Sequence, residues 1–251
     1  MRDKREPFTE AELAAFRVPA PITNFLERTG ARRVLDWGCG RGEQVLALRR
    51  AGWDAHGFDI SEDFIAAGRR SFAALGDEAD VLHLGQVDDV EPFDAVVSYM
   101  VLEHVDDLDT AAATIRRATR RGGGGLHLFP ARWTPIEPHL GLPFAHWFEG
   151  RARRAVIAAG VALGRGRREG WGFDDATTSE VVERWDRYIE TGTAYRSNRA
   201  IARAFSRAGF APRFSMVDHR LARPHGPIPP AVARRTLGAL ITTHLEVTVP
   251  G

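Results

Sequence analysis

The 251-residue chain has one cysteine, Cys39, and one lysine, Lys4. A single cysteine excludes an internal disulfide and fits a reducing, cytoplasmic setting. The shortage of lysine leaves arginine carrying the basic charge, which the codon bias of a GC-rich genome explains without any functional cause. Net charge is nearly absent at +1, which argues against a general nucleic-acid binder. No apolar run is long enough to span a bilayer. The segment Met1-Arg2-Asp3-Lys4-Arg5-Glu6 lacks the apolar stretch of a signal peptide. There is no internal repeat and no low-complexity tract. Apolar residues, by contrast, make up 44% of the chain, enough for a full core. The length suits one domain with a lid or insertion.

The chain is organised around Val34-Leu35-Asp36-Trp37-Gly38-Cys39-Gly40-Arg41-Gly42-Glu43. A short apolar run reads as a buried parallel strand, breaks into three alternating glycines, and leads into a helix from about Gln44 to Ala51. The glycines let the backbone turn sharply and let a ligand lie against it. A dinucleotide fingerprint would read G-x-G-x-x-G and place pyrophosphate on the helix dipole. Here the spacing is G-x-G-x-G, and Asp36 would repel a pyrophosphate but suit a cationic ligand such as a sulfonium. An NAD-type oxidoreductase is therefore the weaker reading.

These residues resemble motif I of the class I S-adenosylmethionine (SAM)-dependent methyltransferases, the small-molecule type 11 group in particular. The resemblance implies a Rossmann-like, doubly wound, seven-stranded and mostly parallel sheet. It implies SAM as cofactor and S-adenosylhomocysteine as product. Gly38, Cys39 and Gly40 then lie under the cofactor. Asp54 to Ile60 reads as the second strand, and Asp59 at its C-terminal end is placed to accept both ribose hydroxyls, with Ile60 beside it. Val81 to Leu84 reads as the third strand. The amide carbonyl of Gln86, next to Val87, stands where many relatives have an acid for the adenine amino group, and Asp88 is the fallback. Phe93 to Ser98 reads as the fourth strand. Ser98 and Tyr99 then pass the methionine end of SAM, Tyr99 also facing acceptor, and Leu102-Glu103-His104-Val105 starts a helix. One acid and one histidine, with Met100 as their near neighbour, form a thin donor set for Mg²⁺. No resident metal is expected.

After a helix over Thr110 to Arg120, the run Arg121 to Gly125 reads as a flexible turn and Leu126 to Pro130 as the fifth strand. Residues 1–30 are expected to form a helical cap and 31–130 the α/β core. Residues 131–195 are expected to form an acceptor-binding lid, and 196–251 to complete the core with strands six and seven, the latter antiparallel. The lid holds Ile136 to Phe148, rich in histidine and aromatic residues. A histidine near the methyl group could take the acceptor's proton, because its pKa is close to working pH. His139, His146 and His104 are the expected catalytic groups. Tyr99, Glu137, Phe144, Trp147, Tyr195 and Arg196 join the first two histidines as acceptor contacts, the aromatic rings suiting an aromatic, sugar or lipid acceptor. Residues 151–168 read as a basic amphipathic helix, able to meet an anionic membrane or a lipid-linked acceptor. A solvated lid or an oligomer contact, such as a homodimer, is the commoner role. The expected activity is methyl transfer to O or N of a small molecule from a natural-product, glycan or lipid pathway. A non-catalytic SAM-binding scaffold and an RNA or protein methylase are the alternatives.

Overall fold

The computed structural model describes residues 5–85, 90–167, 173, 175–214 and 242–251. Two short helices come first, α1 (Glu10–Ala15) and α2 (Ala20–Thr29). Thr9 and Glu12 close a capping box on α1, as their spacing predicts. Gly30 ends α2 in the left-handed conformation that glycine adopts at low cost.

Strands β1 (Arg33–Trp37), β2 (Asp54–Asp59), β3 (Leu82–Leu84), β4 (Phe93–Tyr99) and β5 (Thr119–Pro130) form the parallel part of a seven-stranded sheet. Helices α3 (Glu43–Arg50), α4 (Glu62–Ala74) and α5 (Leu108–Ala118) connect them. A small antiparallel hairpin, β6 (Ile136–Glu137) with β7 (Leu142–Pro143), opens the insertion. It is followed by α6 (Gly150–Ala162) and α7 (Thr178–Gly192). Helix α8 (Asn198–Arg207) leads back to β8 (Ala211–Phe214) and β9 (Thr242–Thr248). The sheet order is β3-β2-β1-β4-β5-β9-β8, with β9 antiparallel to both neighbours. This is the expected doubly wound topology, in which ligands sit at the C-terminal ends of the parallel strands where the order reverses.

Two differences from the sequence reading have clear causes. The glycine run expected as a turn lies inside β5, which spans 12 residues. A Cβ on Gly123 or Gly124 would stand 2.7 Å from the Asp94 carbonyl oxygen or 2.6 Å from that of Val247. The glycines therefore admit close strand neighbours, not a turn. The segment after β4 forms only a single 3-10 turn, Leu102–His104, and α5 starts later at its Asp107 cap. The residues expected to extend strand six, 215–217, lie outside the described ones, as do Gln86, Val87 and Asp88.

One apolar cluster lies between the sheet and α2, α3 and α4, and a second between the sheet and α5 and α8. A third belongs to the insertion alone: Leu142 and Ile157 pack with Val181, Trp185 and Ile189. The apolar side of α6 is thus covered by α7, and Arg153 is buried in an ion pair with Asp186. Burial of such a pair demands good geometry. No helix among the described residues is long and apolar enough to cross a membrane.

One buried group gives the fold a pH dependence. His127 on β5 is fully buried, and its Nδ1 lies 2.9 Å from Ser98 Oγ. Burial pushes its pKa down to about 3. The unfolded chain takes a proton there near pH 6.5 while the folded chain does not. This contribution to stability is therefore complete above pH 6.5 and fades as pH falls toward 3, by at most about 1.4 kcal/mol per pH unit. His127→Asn retains a partner for Ser98 without the titration. Urea unfolding between pH 7.5 and 5 should show a shallower loss in that variant than in wild type; parallel curves would refute the assignment.

Candidate functional site

A cleft of about 860 Å³ opens at the C-terminal ends of β1, β2 and β4. Its floor is the glycine turn. Gly38, Gly40 and Gly42 have φ of 82°, 58° and 86°. These are left-handed values that side chains rarely tolerate, which is why the motif alternates glycines. The turn is fastened to β2 by three bonds. The Gly38 and Cys39 N–H groups donate to the Phe58 carbonyl at 2.7 and 2.9 Å. Gly40 N–H donates to Asp59 Oδ2 at 2.9 Å. The other Asp59 oxygen accepts from Ser61 N–H at 2.8 Å. Asp59 therefore ties the two loops that frame the cleft. A carboxylate has about four acceptor positions, so it retains capacity for a ligand's hydroxyls.

Of the expected cofactor contacts, Gly38, Gly40, Asp59 and Ile60 line this cleft. Ile60 is 82% exposed, an apolar side chain held out at the rim. Asp36 does not line it. Its carboxyl is buried beneath the turn, where burial pushes its pKa up to about 7, a hydrogen bond with Gln44 opposes that rise, and the Asp59 and Glu43 charges add to it. Asp36 therefore supports the turn from below rather than facing a cationic ligand directly. Cys39 is also turned inward, against Gly57, with burial the main cause of a raised thiol pKa. Ser98 is fully buried and paired with His127, so its hydroxyl is not at the cleft. Tyr99 is half exposed and outside the lining. The next residue, Met100, lines the cleft instead and has a φ of 58°. A left-handed non-glycine residue at a strand end is a strained position of the kind found at functional sites. Phe64 of α4 and Thr110 and Arg117 of α5 complete the walls. None of the three carries a motif that would have marked it in the sequence.

The insertion brings a polar cluster to the edge of this cleft. Glu137 is buried on the β6–β7 hairpin. His139 Nδ1–H donates to its Oε1 at 2.7 Å, Leu140 N–H to its Oε2 at 2.6 Å, and the Tyr195 hydroxyl to Oε1. Burial pushes the Glu137 carboxyl up, but these donors outweigh it and hold the pKa below the usual range. Burial and the Glu137 charge push the Tyr195 hydroxyl far above its ordinary value, so it stays a donor. The His139 and His104 rings lie edge to face with centroids 5.0 Å apart, and Tyr188 borders both. His104 lines the cleft, and its Nδ1–H donates to the Gly192 carbonyl at 2.6 Å. Beside it, Glu103 is buried with neither carboxyl oxygen hydrogen-bonded. Burial raises its pKa to about 8, with the Glu137 charge contributing.

The remaining expected contacts lie on the lid side. A cavity of about 460 Å³ is lined by Trp133, His146, Trp147, Arg153, Glu190 and Tyr195, among others. His146 stacks near Tyr195 at 4.5 Å, and its Nε2–H donates to the Arg132 carbonyl at 3.1 Å. Phe144 packs on Trp147 at 4.7 Å, and Trp147 Nε1–H donates to the Thr134 carbonyl at 3.1 Å. Arg196 reaches the Asp106 carbonyl at 2.7 Å, a bond that joins the lid to the segment after β4. Glu137 and Tyr195 therefore stand between the cleft and the lid cavity, while Phe144 and Arg196 hold loops in place. The sequence marks Glu103 only as part of a thin donor set and does not mark Tyr188 at all. Glu103 was readable as an acid next to His104, but Tyr188 sits in an ordinary amphipathic helix and gave no signal.

The family model described as a methyltransferase domain matches residues 35–126, from β1 to β5. Residues 35–126 are thus similar to a methyltransferase domain, and the sheet order is that of the class I methyltransferase fold. The curated relatives are similar over a portion of comparable length. The ubiquinone biosynthesis O-methyltransferase of Sinorhizobium medicae is 36% identical over 94 residues, covering 36% of this chain and 38% of the relative. That of Methylococcus capsulatus is 33% identical over 96 residues, covering 37% and 40%. The matched portion thus spans about two fifths of the length of the curated relatives. Among solved structures, Streptomyces venezuelae DesVI aligns with a TM-score of 0.53 at 18% identity, over 92% of this chain and 90% of that one. The YcgJ protein from Bacillus subtilis aligns with a TM-score of 0.52 at 14% identity, over 92% and 98%. These two show the shared fold. Outside the methyltransferase domain, the lid cluster rests on this chain's own geometry.

Proposed function

We propose that this protein transfers a methyl group from SAM to an oxygen or nitrogen of a small molecule. The observation that carries this reading is the Asp59-fastened glycine turn of the methyltransferase domain, opening onto a cleft with a histidine–carboxylate cluster at its edge. When bound, SAM supplies an electrophilic methyl group on a positively charged sulfur. The glycine floor admits the cofactor closely, the spare acceptor positions of Asp59 suit ribose hydroxyls, and Ile60 offers an apolar surface for adenine. The cleft volume of about 860 Å³ falls within the ordinary range for small-molecule sites. Transfer quenches the sulfonium charge, so the protein's main task is to position the acceptor and exclude water.

The acceptor enters from the lid side, where tryptophan rings stand beside charged and hydroxyl groups. This lining suits a cyclic, polar acceptor. His139, oriented by Glu137 and packed against His104 at the cleft, is the group we assign to take the acceptor's proton. The lid's separate apolar core lets it hold this cluster against the cleft while leaving the cofactor floor untouched.

His139→Ala should therefore leave S-adenosylhomocysteine affinity unchanged and slow transfer by about a hundredfold or more. An acceptor screen with labelled SAM, followed by single-turnover rates on the responding compound, measures this. Equal rates in wild type and variant would reduce His139 to a loop-ordering residue. Absence of transfer to every small molecule, with transfer to tRNA or peptide instead, would overturn the acceptor class.

A further inference from the structure

The lid cavity shares no lining residue with the donor cleft, and its volume of about 460 Å³ lies at the small end of the range for ligand sites. Its walls decide what fits. The Trp133 and Trp147 rings stand at 85° with centroids 5.8 Å apart, so two indoles make a corner close to a right angle. Both are open for tryptophan, at 46% and 37% exposed. Trp147 is fixed by its Nε1–H bond to the Thr134 carbonyl and by contact with Phe144. An exposed indole held in place is a ready platform, because little side-chain freedom is lost when a ligand covers it. We propose that this cavity binds an uncharged sugar ring, one face of which lies on the tryptophan corner while its hydroxyls meet the polar walls.

Three observations narrow the ligand to that class. The first is charge. The lining holds Glu149 and Glu190 together with Arg132 and Arg153, and Arg153 is already paired with Asp186 and lies 3.8 Å from Glu190. An anion or a cation meets both signs, so neither is selected. The Arg132 guanidinium also covers the Trp133 ring at 5.0 Å, the place a ligand ammonium would take. The second is His146. Its Nε2 faces the Arg132 carbonyl at 3.1 Å, so Nε2 carries the hydrogen and Nδ1 is an acceptor. That Nδ1 is buried and has no hydrogen-bond partner among the described residues. Burial holds the ring's pKa down, so Nδ1 stays an acceptor and calls for a donor such as a hydroxyl. The third is the mixture itself. Carboxylates accept and guanidiniums donate; a sugar hydroxyl does both, while the ring's C–H face packs on the electron-rich face of an indole. A flat aromatic or an alkyl chain would satisfy the rings and leave the polar walls unmet. Tyr195 joins the cavity to the cleft, since it lines the cavity and its hydroxyl donates to Glu137, which orients His139. That the bound sugar is the methyl acceptor rests on the methyl-transfer reading; the binding itself does not. In that step a sugar hydroxyl oxygen bonds to the methyl carbon as the carbon–sulfur bond breaks with its electron pair left on sulfur, and the hydroxyl proton passes to His139.

Saturation-transfer NMR and calorimetry on the full-length protein, with S-adenosylhomocysteine present, test the site. The probes are methyl β-D-glucopyranoside, methyl α-D-mannopyranoside and methyl α-L-rhamnopyranoside. At least one should bind saturably with a dissociation constant of about 1 mM or tighter. Trp147→Ala and His146→Ala should each weaken it by about tenfold or more, while Trp147→Phe retains most of the affinity. Trp133→Ala, at a half-exposed position, gives the same reading where Trp147→Ala does not fold. All variants should bind S-adenosylhomocysteine as wild type does, which also reports folding. No saturable binding of any of the three glycosides by a wild type that binds S-adenosylhomocysteine would overturn the proposal, as would unchanged affinity in the folded tryptophan variants. Binding of the methyl glycoside of glucosamine about tenfold tighter than its neutral counterpart would replace the uncharged sugar with an amine. Failure of wild type to bind S-adenosylhomocysteine counts against the methyl-transfer reading alone and leaves the sugar result standing.

Discussion

Asp59→Ala should abolish measurable binding of SAM and S-adenosylhomocysteine. The carboxylate has two roles at once. Within the protein it accepts from Gly40 N–H at 2.9 Å and from Ser61 N–H at 2.8 Å, so it joins the glycine turn to the loop that starts α4. Toward the ligand, its remaining lone pairs are the acceptors proposed for ribose. Hydrogen bonds to a charged group contribute about 1.5–3 kcal/mol each, and the substitution removes both kinds together. Loss of affinity by at least about a hundredfold, or roughly 2.7 kcal/mol, is the expected calorimetric result. Asp59→Asn retains one acceptor oxygen and should be intermediate. The alanine variant should still fold, since the β1–β2 ladder and the Gly38 and Cys39 bonds to the Phe58 carbonyl do not involve the side chain. Wild-type affinity in the folded alanine variant would refute the placement of the ribose at the end of β2.

How far the sequence reveals this protein depends on whether a residue's role is local. The glycine turn, the acid at the end of β2 and the caps on α1 and α4 are readable because turn chemistry and capping act over a few residues. The strand order follows from repeated βα units and their right-handed crossovers. Asp36 shows where local reading stops. Its charge sign is visible from the motif, but its burial beneath the turn depends on Gln44 and α3 packing over it. Ser98 likewise faces the core because β5 supplies His127 opposite it. The glycine run of β5 reads as a turn by composition, yet its neighbours in the sheet require residues without side chains. The cluster at the cleft is the least legible feature. Glu103 and His104 belong to the segment after β4, Glu137 and His139 to a hairpin some 35 residues later, and Tyr188 and Tyr195 to the lid. The third core gathers the insertion's share, and bonds from Ala194 N–H to the Glu103 carbonyl and from His104 to the Gly192 carbonyl join it to the segment after β4. The same core explains α6: its arginine-flanked apolar face, legible as a membrane surface, is the face that meets α7.

Gly68→Ala should destabilise the protein and weaken the cofactor site together, although Gly68 lies inside a helix where alanine is intrinsically favoured by about 1 kcal/mol. Two effects of opposite sign compete. A Cβ at Gly68 would run into the carbonyl of Arg41, with the Arg41 carbonyl carbon and Leu82 Cδ1 each 2.9 Å away. The obstacle is backbone, and it belongs to the glycine turn itself. Arg41 sits between Gly40 and Gly42, and its guanidinium is held by Glu43 and by the Glu6 carbonyl. It cannot retreat without moving the turn into the cleft or lifting α4 from the sheet. Overpacking of this kind costs about 1–3 kcal/mol, enough to reverse the helix preference. Urea denaturation should show lower stability for Gly68→Ala, and calorimetry should show weaker S-adenosylhomocysteine binding. An increase in stability, as helix propensity alone dictates, would mean that α4 does not press on the glycine turn. The cofactor floor would then owe its shape to the turn alone.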